Sequence, residues 1–195
     1  MKSFEVTGGC KLSGEITPQG AKNEALQVLS AVILTDEEII ISNIPDIIDV
    51  RLMIEMLADL GVKVKRITAD SYSFRAIDMA ADRMYDPGFL KKASDLRGSV
   101  MLAGPLLARH KRSVIPRPGG DKIGRRRMDT HITGFRKLGA SVEYDCEPGC
   151  FRLTAKSLKG TYILLDEPSV TGTANMIMAA VKAEGITTIY NAACE

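Results

Sequence analysis

Apolar and polar positions along the chain form a series of segments that occurs twice in one order and begins a third time. In the first copy, residues 25–34 read as a buried helix, 38–43 as a strand and 49–60 as an amphipathic helix. Gly61 follows that helix as a favoured stop, and Val62-Lys63-Val64-Lys65 then alternates as a strand. In the second copy, residues 97–108 read as a small-residue helix, 112–116 as a strand and 129–138 as an amphipathic helix closed by Gly139. Residues 140–144 then alternate. The two helix endings, Leu60-Gly61 and Leu138-Gly139, lie about 78 residues apart, the scale of a whole supersecondary unit rather than of a short solenoid repeat. A third helix and strand, residues 173–185 and 186–191, start the series again, and the signals break off there. This predicts a reading frame that continues past Glu195, because a helix and strand without partners leave apolar faces uncovered. Residues 71–76 and 149–155 alternate like hairpin strands, the second introduced by Pro148-Gly149. The fold class predicted is α/β or α+β, a domain built of repeated units.

Composition changes this picture little. A hydrophobic content of 45%, a charged content of 26% and a mean hydropathy of +0.01 suit a globular chain with a real core. A formal charge of +2 argues against nucleic acid or membrane as a partner of the whole chain, so any anion site must be local. The start carries Glu5 and no secretory apolar run, and no stretch reaches about 18 uninterrupted apolar residues; a cytoplasmic location is expected. Cys10, Cys146, Cys150 and Cys194 are scattered and read as reduced thiols.

Two segments could carry chemistry. Gly20-Ala21-Lys22-Asn23 precedes an apolar helix, where free backbone N–H groups and a lysine favour an anion; an ordinary loop with Asn23 capping the helix is the commoner meaning of such a pair. Residues 117–131 are rich in glycine and place Arg117, Lys122, Arg125, Arg126 and Arg127 around the carboxylate of Asp121. This suits either a mobile active-site lid or an exposed polyanion-binding patch. His131 reads as an anion contact, a general acid or an internal hydrogen-bonding residue. Arg97, opening a small-residue helix, reads as a phosphate contact or a surface residue.

Taken together, Gly20-Ala21-Lys22-Asn23, Asn43-Ile44-Pro45 with Asp49-Val50, Leu96-Arg97-Gly98-Ser99, Gly104-Pro105-Leu106, Pro118-Gly119-Gly120 with Ile123-Gly124, Arg126, Asp129 and His131, Leu138-Gly139-Ala140 and Ser169-Val170 form an ordered set. This set resembles the UDP-N-acetylglucosamine enolpyruvyl transferases along the whole chain. The resemblance implies an inside-out α/β barrel of two domains, each of three repeated units, in proteins about twice this length. Residues 1–20 would supply a strand to the second domain, and residues 21–195 most of the first. It further implies transfer of the enolpyruvyl group of phosphoenolpyruvate to the 3-hydroxyl of UDP-N-acetylglucosamine, with release of phosphate and with no metal or organic cofactor. Related shikimate 3-phosphate enolpyruvyl transfer and a non-catalytic anion-binding fragment are the competing readings.

Carried over by position, Lys22 and Asn23 would touch phosphoenolpyruvate and sugar, Arg97 and Arg126 the anionic groups, and Asp129, Ser169 and Val170 the nucleotide. Lys122 and His131 are further possible contacts. A second half would add an arginine and an aspartate, so residues 1–195 alone are expected to turn over little. The chain departs from the family pattern at three places. Asp121 stands where a reactive cysteine is usual, Arg127 where a proline commonly follows the matched arginine, and Thr171 where a glycine is usual. The resemblance makes Asp121 the proton donor, although the neighbouring cations favour its ionised form. Its acidity would have to be restored when substrate binds and water is excluded. An aspartate offers no thiolate for the epoxide drug fosfomycin. The expected outcome is an active, fosfomycin-insensitive enzyme: mass spectrometry after drug treatment finds no covalent adduct, and Asp121→Asn loses most turnover. A drug adduct, or full turnover by the variant, contradicts this role.

Overall fold

The computed structural model describes residues 3–116, 127–147 and 149–194. The first unit runs α1 (Lys22–Ala31), tightening into a 3₁₀ turn at Val32–Leu34, then β1 (Glu38–Ile41), α2 (Ile48–Asp59), β2 (Lys63–Arg66) and β3 (Tyr72–Arg75). A 3₁₀ turn at Ala81–Tyr85 and α3 (Pro87–Asp95) connect it to the second unit. That unit comprises a 3₁₀ segment Arg97–Leu102, α4 (Ala103–His110), β4 (Arg112–Pro116), α5 (Asp129–Lys137), β5 (Ser141–Asp145) and β6 (Cys150–Thr154). β7 (Tyr162–Leu164), α6 (Val170–Ala180) and β8 (Thr188–Tyr190) follow as a third.

The sequence repeat has a direct counterpart in the sheets. In the first unit β3 lies between β1 and β2 and is antiparallel to both. In the second, β6 lies between β4 and β5 in the same way. Gly61 and Gly139 occupy equivalent places past α2 and α5 with φ of +91° and +96°, a backbone region that costs a side chain and admits glycine freely. In the third unit β7 and β8 pair in parallel, with Ile163 opposite Ile189, and α6 makes the crossover that a parallel pair requires.

Helices occupy the middle and sheets the outside. Ala103 through Ala108 of α4 are all buried, which fits a run of small and aliphatic residues with no polar face, and α4 packs on α6 and on the 32–34 turn. The sheets turn one row inward, with Phe74 and Leu153 fully buried, while Lys63, Lys65 and Glu143 face solvent. This inside-out mixture of helix and sheet matches the fold class expected from the sequence. No helix among the described residues is long and apolar enough to cross a membrane.

Several boundaries differ from the sequence reading. Residues 97–108 are not one α-helix but a 3₁₀ segment followed by α4. Pro105 has no N–H for the carbonyl four residues back and its ring crowds that carbonyl, so regular α-turns cannot run through the junction. α1 begins at Lys22, with Ala21 at its N-cap, so Asn23 lies inside the helix and does not cap it. α6 begins at Val170, three residues before the predicted start, because the Ser169 hydroxyl caps it by accepting from Gly172 N–H at 3.2 Å. α3, the 81–85 turn and β7 are too short, or too broken by Pro87-Gly88, to show periodicity. Residues 3–20 carry no helix or strand, and Phe4, Val6, Leu12 and Ile16 are exposed there.

Phe135 of α5 is fully buried in the core shared by the second and third units. Phe135→Ala is expected to lower unfolding free energy by about 3–5 kcal/mol, read from urea denaturation, whereas half-exposed Tyr144→Ala costs under about 1 kcal/mol. Equal losses would contradict this placement of the core.

Candidate active site

The first cluster forms at the start of α1. Gly20 N–H donates to the Asn43 side-chain oxygen at 3.1 Å. Asn43 itself sits at φ +59°, a left-handed conformation asparagine tolerates better than most residues. A Cβ on Gly20 would run into the Asn43 carbonyl oxygen, so glycine is required where this loop crosses the Asn43-Ile44-Pro45 turn. The fixed turn delivers Ala21 as an N-cap without a side-chain cap, leaving the first N–H groups of α1 available to an anion. Lys22 and Asn23 are exposed at that end. Lys22 Nζ is 2.9 Å from Asp49 Oδ2 at the start of α2, both side chains being more than a third exposed. Such a pair holds the ammonium in place at little net stabilisation, and the ammonium can turn to an anionic ligand at small cost. Gly98 packs against Leu26, one helical turn along from Lys22 and Asn23, which brings half-buried Arg97 beside the same helix.

A second cluster forms where α5 and α6 begin side by side. Arg127 Nε lies 3.0 Å from Asp129 Oδ2, and its Nη2 lies 3.1 Å from Asp166 Oδ2. Thr130 Oγ1 donates to the other Asp166 oxygen at 2.6 Å. The hydrogen bond to Asp129, supported by the charges of Asp129 and Asp166, raises the Arg127 pKa further above its usual range. Arg127, at a position where a proline is common in the family, thus ties expected nucleotide contact Asp129 to the connection that leads into Ser169 and Val170.

His131, one turn further along α5, is 3% exposed. Its Nδ1 lies 3.1 Å from Asn175 Nδ2 and its Nε2 3.3 Å from Thr171 Oγ1. Burial lowers its pKa to about 4, so the ring is neutral at pH 7. Of the three roles open to His131 in the sequence, the internal hydrogen-bonding one describes its place.

The two clusters are joined by the 97–102 segment. Gly98 rests on α1, and the Val100 carbonyl accepts from Asn175 Nδ2 of α6 at 2.9 Å. Asp121, Lys122 and Arg126 lie outside the described residues. Sequence reasoning missed Asn175 and the pairing of Lys22 with Asp49. A lone asparagine inside the apolar run Thr173-Ala174-Asn175-Met176-Ile177-Met178 was the signal available for the first. A separate cleft of about 580 Å³, lined by Tyr85, Leu90, Lys91, Ser94, Pro116 and Cys150 among others, contains none of the expected site residues. Burial pushes the Cys150 thiol and the Tyr85 phenol up, so neither offers an anion there. Among the described residues, no group of His, Cys, Asp and Glu is arranged to hold a metal ion.

Residues 6–195 match the family model described as EPSP synthase (3-phosphoshikimate 1-carboxyvinyltransferase). The chain belongs to the EPSP synthase family. Within the family, it is 56% identical over 195 residues to a UDP-N-acetylglucosamine 1-carboxyvinyltransferase of Porphyromonas gingivalis, covering all of this chain and 45% of that protein. The chain therefore spans under half the length of the curated relatives it matches. Among solved structures, it resembles the enolpyruvyl transferase NikO from Streptomyces tendae with a TM-score of 0.70 at 18% identity, over 93% of this chain and 42% of that one. EPSP synthase from Acinetobacter baumannii follows with a TM-score of 0.66 at 19% identity, over 90% of this chain and 40% of that one. These structures show that the fold is that of the enolpyruvyl transferases, and the sequence matches agree with the family that the ordered motifs indicate.

The neutral, buried His131 has a consequence for stability. Its folded pKa lies below the free value of 6.5, so its contribution is complete above pH 6.5 and is lost as pH falls toward about 4. The loss amounts to roughly 3 kcal/mol. Urea midpoints measured from pH 7 to pH 4 should fall more steeply for the wild type than for His131→Gln. Parallel slopes would show that this ring does not resist protonation.

Proposed function

We propose that this chain supplies part of an enzyme that transfers the enolpyruvyl group of phosphoenolpyruvate to the 3-hydroxyl of UDP-N-acetylglucosamine and releases phosphate. The observation that carries this reading is the 56% identity, along the entire chain, to proteins named for that transfer. In this reading the sugar oxygen adds to C2 of phosphoenolpyruvate while C3 takes a proton. Loss of a proton from C3 with departure of phosphate then restores the double bond. Lys22 and Asn23 hold phosphoenolpyruvate and sugar, Arg97 and Arg126 contact the anionic groups, and Asp129, Ser169 and Val170 line the nucleotide. Asp121 moves the proton. Several cations fixed before the reaction are suited to substrates bearing this many negative charges, since they orient both reactants and neutralise charge on the departing phosphate.

The exposed Phe4, Val6, Leu12 and Ile16 support assigning residues 1–20 to a strand that is covered by a second domain. That domain would complete the site, and the reaction would run in the cytoplasm and feed peptidoglycan synthesis. The shikimate 3-phosphate reading has the name of the family model behind it. The EPSP synthase structure is only 19% identical to this chain, which favours the nucleotide sugar.

The test replaces the matched part of the Porphyromonas gingivalis relative with this chain and follows phosphate release with each acceptor. The expected outcome is turnover with UDP-N-acetylglucosamine at least about 100-fold above that with shikimate 3-phosphate, a difference of about 2.7 kcal/mol in transition-state binding. The reverse preference would replace this reading with the other.

A further inference from the structure

Asn175 is fully buried and its amide orientation is determined by the backbone around it. Its Oδ1 accepts from Gly104 N–H at 2.8 Å, and its Nδ2 donates to the Val100 carbonyl at 2.9 Å. Turning the amide over would set oxygen against oxygen and N–H against N–H in a site without solvent, at the cost of two unsatisfied pairs. The second Nδ2 hydrogen therefore faces His131 Nδ1, 3.1 Å away, and that nitrogen must be the acceptor. A neutral imidazole carries one proton, so it resides on Nε2, which faces Thr171 Oγ1 at 3.3 Å. The threonine oxygen receives that hydrogen bond, and its own proton is left to point elsewhere. Among the described residues His131 is the one hydrogen-bond partner of the Thr171 side chain. Thr171 is half-buried in the first turn of α6, beside Ser169 and Val170.

We propose that Asn175 and His131 are positioning residues that make Thr171 a hydrogen-bond donor to the bound nucleotide sugar, a specificity contact that a glycine at this position cannot make. The proposal rests on the reaction assigned above for its ligand. The relay itself rests on hydrogen-bond geometry alone. A chain of three polar side chains that leaves its last proton unclaimed at the mouth of a helix beside two expected nucleotide contacts suits a phosphate or carbonyl oxygen of the ligand. Without the relay the hydroxyl could spend its proton on His131 and present only lone pairs, which would repel such an oxygen.

The test has two readouts. In the ¹⁵N-labelled 195-residue chain at pH 7, NMR of the His131 ring should show an unprotonated Nδ1 and a protonated Nε2. Thr171→Val should leave that pattern in place, because Asn175 sets it. Asn175→Asp should put a proton on Nδ1, since a carboxylate accepts from Nδ1–H. A protonated Nδ1 in the wild type, or its appearance in Thr171→Val, overturns the relay. In the chimera described above, Thr171→Val should raise KM for the nucleotide sugar roughly five- to tenfold, with the loss falling on KM rather than kcat, and Thr171→Ser should restore it. A KM within twofold of wild type overturns the donor role. Absence of transfer by the unmodified chimera overturns the reaction reading, and the donor role with it, while the ring signal still decides the relay.

Discussion

Packing α4 against α6 brings two helices into contact with almost no polar residue between them, and the buried junction of the 97–102 segment with α4 takes side-chain hydrogen bonds from across that contact. The Asn175 amide makes them: it takes the Gly104 N–H and gives to the Val100 carbonyl, so one side chain of the third unit bonds the backbone of the second. Loss of that amide would leave the buried Gly104 N–H without its side-chain acceptor, at about 1–3 kcal/mol, while the Val100 carbonyl keeps the Ala103 N–H. The same side chain sets the proton of His131, and through it the first turn of α6. The contact of α4 with α6 and the layout of one half of the candidate site thus share a single buried hydrogen-bonding group.

The other half is built on a different principle. Lys22 and Asn23 are placed by a turn in which Gly20 and Asn43 leave no room for alternatives, and Arg97 is placed by the contact of Gly98 with Leu26. The Lys22 and Asn23 side chains are exposed, with Lys22 held by Asp49, and Arg97 is half-buried. Rigid backbone with exposed, loosely paired cations is what a site for several negative charges needs, because the geometry is set in advance and the charges are not spent on each other. Arg127 introduces a variation at the nucleotide side, where a guanidinium bridges Asp129 and Asp166.

Much of this was legible in the sequence because repetition amplifies weak signals. The endings at Gly61 and Gly139 mark the same structural event twice, and the three-stranded sheets that follow have the same order. Elements without a counterpart in the other units were hidden: α3 and the 81–85 turn form the connector, and β7 spans only three residues. Two helix starts, those of α1 and α6, were displaced by about three residues. Ala21 carries no capping side chain, and Ser169 caps a first turn of Val170, Thr171 and Gly172, whose propensities are poor. The candidate residues could be named from ordered motifs, but their neighbours could not. Asp49 beside Lys22, and Asn175 beside His131, are separated by 27 and 44 residues in the chain and meet only through packing.

The central claim is that the starts of α1, α5 and α6, together with Arg97, form one binding surface for a nucleotide sugar and its anionic partner. A crystal structure of the chimera with UDP-N-acetylglucosamine bound tests it most directly. The uridine diphosphate is expected against Asp129, Ser169, Val170 and Thr171, with the sugar directed to Lys22 and Asn23. A ligand seated instead in the cleft beside Tyr85 and Lys91, away from both clusters, would contradict it.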